Sequence, residues 1–196
     1  MSAWAPIPLI AKKDLVVLDT ETGLVGERTR IIEIGMLLIK KGKIVDKFES
    51  LIYPEGNIIT SWESRITDED LDGKPTFNEL KEAIGRFIRQ GELIVAHNAA
   101  FDIGMIKKEL GKTGENWNPP TLCTLKLARN VLPKGIPKTL EALSRRYGIS
   151  SFVPHRALPD AIILLKVFGA LLAEPLSRDP KIISKIISMG KMEWPP

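Results

Sequence analysis

Only one cysteine, Cys123, and two histidines, His97 and His155, occur among the 196 residues. A single cysteine excludes an internal disulfide, and its neighbours Leu122 and Leu125 mark it as a packing residue. With so few thiols and imidazoles, a metal ion in this chain would be held through oxygen. No Gly-x-Gly-x-x-Gly follows an early strand-like run, which argues against a dinucleotide-binding α/β enzyme. Long apolar stretches are missing as well. Ala161 to Ala173 is too short to span a membrane and carries Lys166, and Ala11-Lys12-Lys13-Asp14 interrupts a short apolar start. Neither membrane partner nor signal peptide is therefore expected, and the expected location is the reducing cytoplasm. Internal repeats and low-complexity linkers are also lacking.

What is present suits one globular domain with a substantial core: hydrophobic residues make up 44% of the chain. The formal charge of +4 and a pI near 9.1 suit a polyanionic partner without specifying one.

The informative residues are acids at the ends of apolar runs. Leu15-Val16-Val17-Leu18 reads as a strand buried on both faces, with Asp19 and Glu21 at its carboxyl end. Positions i and i+2 of a strand share a face, so the two carboxylates point the same way. Their repulsion is relieved most simply by a hard cation bound through oxygen, Mg²⁺ or Mn²⁺. Taken alone, the pair reads equally well as a solvated strand end before a turn at Gly23. Leu93-Ile94-Val95-Ala96 repeats the arrangement: a buried strand, a turn at His97-Asn98, and a helix from about Ala99 that carries Asp102 in its first turn, where the helix dipole favours an acid. Further on, Pro159 is tolerated only in a first helical turn, which starts a helix near Leu158, holds Asp160 on it and leaves His155 on the preceding loop. The side-chain pKa of histidine suits proton transfer near neutrality.

These three stretches together resemble the DnaQ-like 3′–5′ exonucleases of the DEDDh group. Val17-Leu18-Asp19-Thr20-Glu21-Thr22-Gly23 is similar to the first exonuclease motif, Ala96-His97-Asn98-Ala99-Ala100-Phe101-Asp102 to the second, and His155-Arg156-Ala157-Leu158-Pro159-Asp160-Ala161 to the third. Arg30-Ile31-Ile32-Glu33-Ile34-Gly35 and Ile66-Thr67-Asp68-Glu69 resemble connecting segments, so the likeness runs from about residue 13 to 173. Two departures are visible: Thr22 is followed directly by Gly23, where many members have a second threonine, and Pro159 stands where proline is unusual. The resemblance implies a catalytic set of Asp19, Glu21, Asp102, His155 and Asp160. Asp19, Glu21 and Asp160 would hold one divalent cation and Asp19 with Asp102 a second, with His155 as the base. It also implies substrate contacts from Thr20, Thr22, Leu24 and Phe101, the last two as walls around a terminal nucleotide. The implied substrates are single-stranded or frayed 3′ ends of DNA, with RNA as the alternative, and the implied partner is a DNA polymerase or another replication or repair protein. An inactive ribonuclease H-like binding module is the rival reading, and all five catalytic positions being filled argues against it.

The order of elements agrees with an α/β, ribonuclease H-like fold, a mixed central sheet of three antiparallel strands followed by parallel ones, flanked by helices. Strands are expected over Ile31 to Lys40 and Ile44 to Tyr53, joined by Lys41-Gly42-Lys43. Thr76-Phe77-Asn78-Glu79 has capping-box spacing for a helix to Gln90. A short strand or helix is expected from Leu122, and another helix carries Leu140, Leu143 and Tyr147 before Gly148. The domain is expected to span residues 1–175, with a helical tail over 176–196. In the tail, Asp179 and Pro180 start a helix that presents Ile182, Ile183, Ile186 and Ile187 on one face and stops at Gly190. Packing on the parent domain is the preferred reading of that face, and Glu193-Trp194-Pro195-Pro196 reads as a disordered end. His97 is read as a turn-stabilising hydrogen-bonder, and Trp4, Trp62 and Trp117 as residues that either pack or stack on bases.

Overall fold

The computed structural model describes residues 12–60, 65–149, 155–188 and 194. Leu15–Val25 (β1), Arg28–Lys40 (β2) and Lys43–Leu51 (β3) form an antiparallel meander. The β2–β3 turn needs only two residues, because Lys41 and Gly42 both take positive φ, the geometry that matches strand twist. Ile58–Thr60 (β4) pairs with the far end of β1. Leu93–Ala96 (β5) pairs parallel with β1, and Thr121–Cys123 (β6) parallel with β5. Ile187–Ser188 (β7) closes the edge antiparallel to β6, giving a seven-stranded sheet in the order β3-β2-β1-β5-β6-β7 with β4 on β1. The expected mixed sheet, antiparallel and then parallel, is the one observed.

Helices cover both faces: α1 (Asp68–Leu71), α2 (Phe77–Ile88), α3 (Ala100–Leu110), α4 (Thr124–Val131), α5 (Leu140–Arg146), α6 (Ala157–Ala173) and α7 (Pro180–Ile186). The Thr76/Glu79 capping box opens α2 as its spacing predicts. Strand alternation splits the core in two. Leu15, Val17, Leu37, Val95 and Leu122 meet α4 and α6 on one face, while Val16, Leu18, Met36, Ile94 and Ala96 meet α2 and α3 on the other. No helix of the described residues is long and apolar enough to cross a membrane.

Several expectations change. β1 does not stop at its two acids or turn at Gly23. Pairing with β2 carries it through both acids to Val25, with a register shift between Glu21 and Thr22. The region from Leu122 is both a strand and a helix, β6 running directly into α4. The tail helix ends at Ile186, since Ile187 and Ser188 join the sheet, while Gly190 lies outside the described residues. Ile183 and Ile186 are buried in the same core as α6. Trp194 is buried too, edge-on to Trp117 with centroids 5.1 Å apart, and Trp117 is 3% exposed, which removes it from base stacking. Trp4, Trp62, Glu193, Pro195 and Pro196 lie outside the described residues.

Gly35 of β2 sits against the start of α6. A Cβ there would lie 2.2 Å from the Leu158 backbone nitrogen and 2.4 Å from the Ala157 carbonyl carbon. Since backbone is met rather than a flexible side chain, Gly35→Ala is expected to destabilise the fold by about 2–4 kcal/mol. Urea unfolding checks this, and a loss under about 0.5 kcal/mol, the scale of an ordinary surface change, would mean that the two elements separate easily.

Candidate active site

Because β1 and β5 are parallel, with Val17 beside Val95, the chain reaches Asp19 and the His97 turn at the same end of the sheet. This is also where the sheet changes from antiparallel to parallel pairing, and a crevice opens beyond the carboxyl ends of the strands. A cleft of about 470 Å³ lies there, lined by Asp19, Glu21, Thr22, Phe101, His155 and Asp160 among others.

Alternation sorts the residues of β1. Asp19 follows Val17 on the face covered by α6, the helix that carries Asp160. Thr20 follows Leu18 towards α3, where its hydroxyl donates to Asp102 Oδ1 at 2.9 Å. Thr20, expected to touch substrate, thus spends its hydroxyl on a proposed cation ligand while still lining the cleft. Asp102 is 3% exposed and lies behind the cleft wall. Ligand atoms of Glu21, His155 and Asp160 all fall within 4.8 Å of one another, close enough for one ion. Phe101 is 45% exposed and lines the cleft, as does Thr22; Leu24 lies on β1 opposite Thr60 of β4 and is not part of that lining.

The acids are electrostatically crowded. Burial holds the Asp19 carboxyl well above the ordinary carboxylate range, and the charges of Asp102, Glu21, Asp160 and Glu33 push it further. Burial raises Asp102 to about 7 against the stabilising hydroxyl of Thr20. Asp160 is raised by burial and partly relieved by the His155 N–H, which donates to its Oδ2 at 3.0 Å. His155 itself has φ +61°, a left-handed backbone that costs free energy in any residue but glycine. His97 Nδ1 lies 3.0 Å from Thr124 Oγ1, and burial lowers its pKa to about 4, so it stays neutral and ties the β5 turn to α4.

Sequence reasoning missed Glu33. Its carboxylate is fully buried, forks onto Arg156 and accepts the Ala157 N–H at the start of α6. The local signal was a charge within the apolar run Ile31-Ile32-Glu33-Ile34, in a segment read only as a connecting one. Thr139, Leu140, Glu141, Ser144 and Ile163 also line the cleft, and nothing local in the sequence marks them.

A family model described as exonuclease, of the RNase T type, matches residues 16–168. The DNA polymerase III epsilon subunit of Aquifex aeolicus is 34% identical over 165 residues, covering 81% of this chain and 80% of that protein. The PolC-type DNA polymerase III of Clostridium perfringens is 39% identical over 152 residues, 76% of this chain. The chain spans only 10–11% of the length of such PolC-type relatives. Among solved structures, exonuclease X in complex with 5′-overhanging duplex DNA superposes with a TM-score of 0.65 at 28% identity, covering 86% of this chain and 99% of that one.

Proposed function

The chain belongs to the exonuclease family, and from that premise we propose that it is a metal-dependent 3′–5′ exonuclease acting on DNA in replication proofreading or repair. It would hydrolyse the terminal phosphodiester and release nucleoside 5′-monophosphates. The observation that carries this reading is the convergence of Glu21, His155 and Asp160 within 4.8 Å, beside Asp19, in one open cleft.

The donor set fits hard divalent cations, Mg²⁺ or Mn²⁺. It consists of oxygens, and the repulsion that raises Asp19 is what such a cation relieves. Asp19, Glu21 and Asp160 would hold one ion and Asp19 with Asp102 a second; when bound, they supply charge neutralisation at the phosphoryl oxygens. The remaining work falls to the chain. Thr20 keeps Asp102 in place, and the exposed ring of Phe101 would stack against the terminal nucleotide. His155 takes the proton of the attacking water. DNA as substrate and a polymerase as partner are supported by the epsilon subunit and PolC-type relatives and by the duplex DNA held by exonuclease X.

End-labelled strands test the proposal. With Mn²⁺ or Mg²⁺, a 5′-labelled DNA strand is expected to give a descending ladder and a 3′-labelled one immediate mononucleotide, and EDTA is expected to abolish both. Cleavage in EDTA would sink the metal assignment, and internal cuts or 5′ digestion would sink the exonuclease reading. Faster digestion of RNA of equal length would make the chain an RNA-trimming member, and no cleavage at all would favour the binding-module reading.

A further inference from the structure

Glu33 is the most deeply buried charged side chain among the described residues, at 0% exposure. Both its oxygens are engaged. Arg156 Nε lies 2.9 and 3.1 Å from Oε1 and Oε2, an Arg156 terminal nitrogen lies 2.6 Å from Oε1, and the Ala157 N–H donates to Oε2 at 2.8 Å. Helix α6 has no side-chain cap of its own, since Arg156 occupies the N-cap position. A carboxylate from β2 fills that role, where the helix dipole favours an anion.

A buried ion pair is weak evidence of stabilisation, because desolvation offsets much of the attraction, and an apolar pair of equal volume usually serves as well. What this one does provide is geometry. Glu33 pairs across the sheet with Glu21, and two residues on Gly35 pairs with Asp19 and meets the Ala157-Leu158 backbone. The face of β2 beside the two acids of β1 is therefore the seat of the segment carrying His155 and Asp160. His155, in its left-handed conformation, is held from downstream by Asp160 Oδ2 on its N–H, and the next residue is forked by Glu33.

Building on the exonuclease reading, we propose that Glu33 is a positioning residue: through Arg156 and the Ala157 N–H it fixes His155 and Asp160 over Asp19 and Glu21. The carboxylate touches neither substrate nor cation: it fixes the groups that do, and its charge adds to the field at Asp19 and Asp160. Partners behind metal ligands typically set affinity or rate by about 10- to 100-fold, and misplacement of a reacting group by about 1 Å has a similar effect.

The test is a double-mutant cycle of Glu33→Gln and Arg156→Lys on the full chain. Glu33→Gln keeps the shape and removes the charge, and Arg156→Lys, at a half-exposed side chain, keeps the charge and removes the fork. Each single variant is expected to bind Mn²⁺ about 10-fold more weakly, and to lower kcat on 5′-labelled single-stranded DNA about 10- to 100-fold at saturating Mn²⁺ with KM within about threefold. The double variant is expected to lose no more than the worse single one, because both break one unit. Additive losses would overturn the proposal. So would a lowered melting temperature with Mn²⁺ affinity and kcat at wild-type values, the pattern of a purely structural pair. A wild-type chain that binds Mn²⁺ but cuts no nucleic acid would defeat the exonuclease reading alone. The Mn²⁺ arm would then still decide whether Glu33 positions Asp160.

Discussion

Replacing Asp19 with alanine is expected to lower kcat by about 10³-fold or more and to leave little Mn²⁺ binding. Asp19 stands at the centre of the acid cluster: burial and the charges of Asp102, Glu21 and Asp160 all act on it. No other side chain is proposed to serve both cations, so its loss removes a ligand from each. Asp19→Asn should be nearly as inactive, but with a second signature. In EDTA it should melt at a higher temperature than the wild type, because the amide carries no charge to be crowded. The sign follows from linkage. A carboxyl whose folded pKa lies above its unfolded value binds protons better in the fold, so its contribution is full below the unfolded pKa and is lost as pH rises through the folded one. At pH 8 the wild-type metal-free chain carries that loss and the asparagine variant does not. Turnover within about tenfold of wild type would show that Asp19 is not shared between cations.

His155→Ala is expected to lower kcat by about 10²- to 10⁴-fold, the range for removal of a general base, while Mn²⁺ affinity changes by less than about threefold. The geometry makes this contrast decisive, since a ring nitrogen of His155 lies within 4.8 Å of ligand atoms on Glu21 and Asp160, in reach of either role. If titration with Mn²⁺ shows as large a loss of binding as Asp19→Ala does, the imidazole is a ligand and not the base.

How much of this was legible depended on how local each cause was. β1 and β5 could be read because strands buried on both faces are written as continuous apolar runs. Asp102 could be placed in the first turn of α3, and Asp160 on α6, because proline, turn residues and helical spacing are local signals. The extension of β1 past Glu21 to Val25 could not, since it is imposed by pairing with β2 and β4 beyond a bulge. The hydrogen bond of Thr20 to Asp102 could not be read either, because the two residues lie 82 positions apart. Glu33 was passed over for the same reason, its arginine lying 123 residues downstream. Trp194 reads as part of a disordered end from its Pro-Pro neighbours. It is instead buried against Trp117 and the space left by the missing side chain of Gly85.

The crowding of carboxylates at the end of β1 also sets the direction in which such a chain decays. Asp19, Glu21 and Asp160 lining one cleft, with Asp102 buried behind its wall, are a standing cost to the fold that bound cations would offset. If selection for activity lapsed, substitutions at Asp19 or Asp102 would be favoured twice, being neutral for a function no longer needed and stabilising for the polypeptide. Gly35 would persist much longer, because the packing of α6 on β2 depends on it with or without catalysis. A descendant that kept the seat of α6 on β2 but had lost the acids is the expected outcome of such decay.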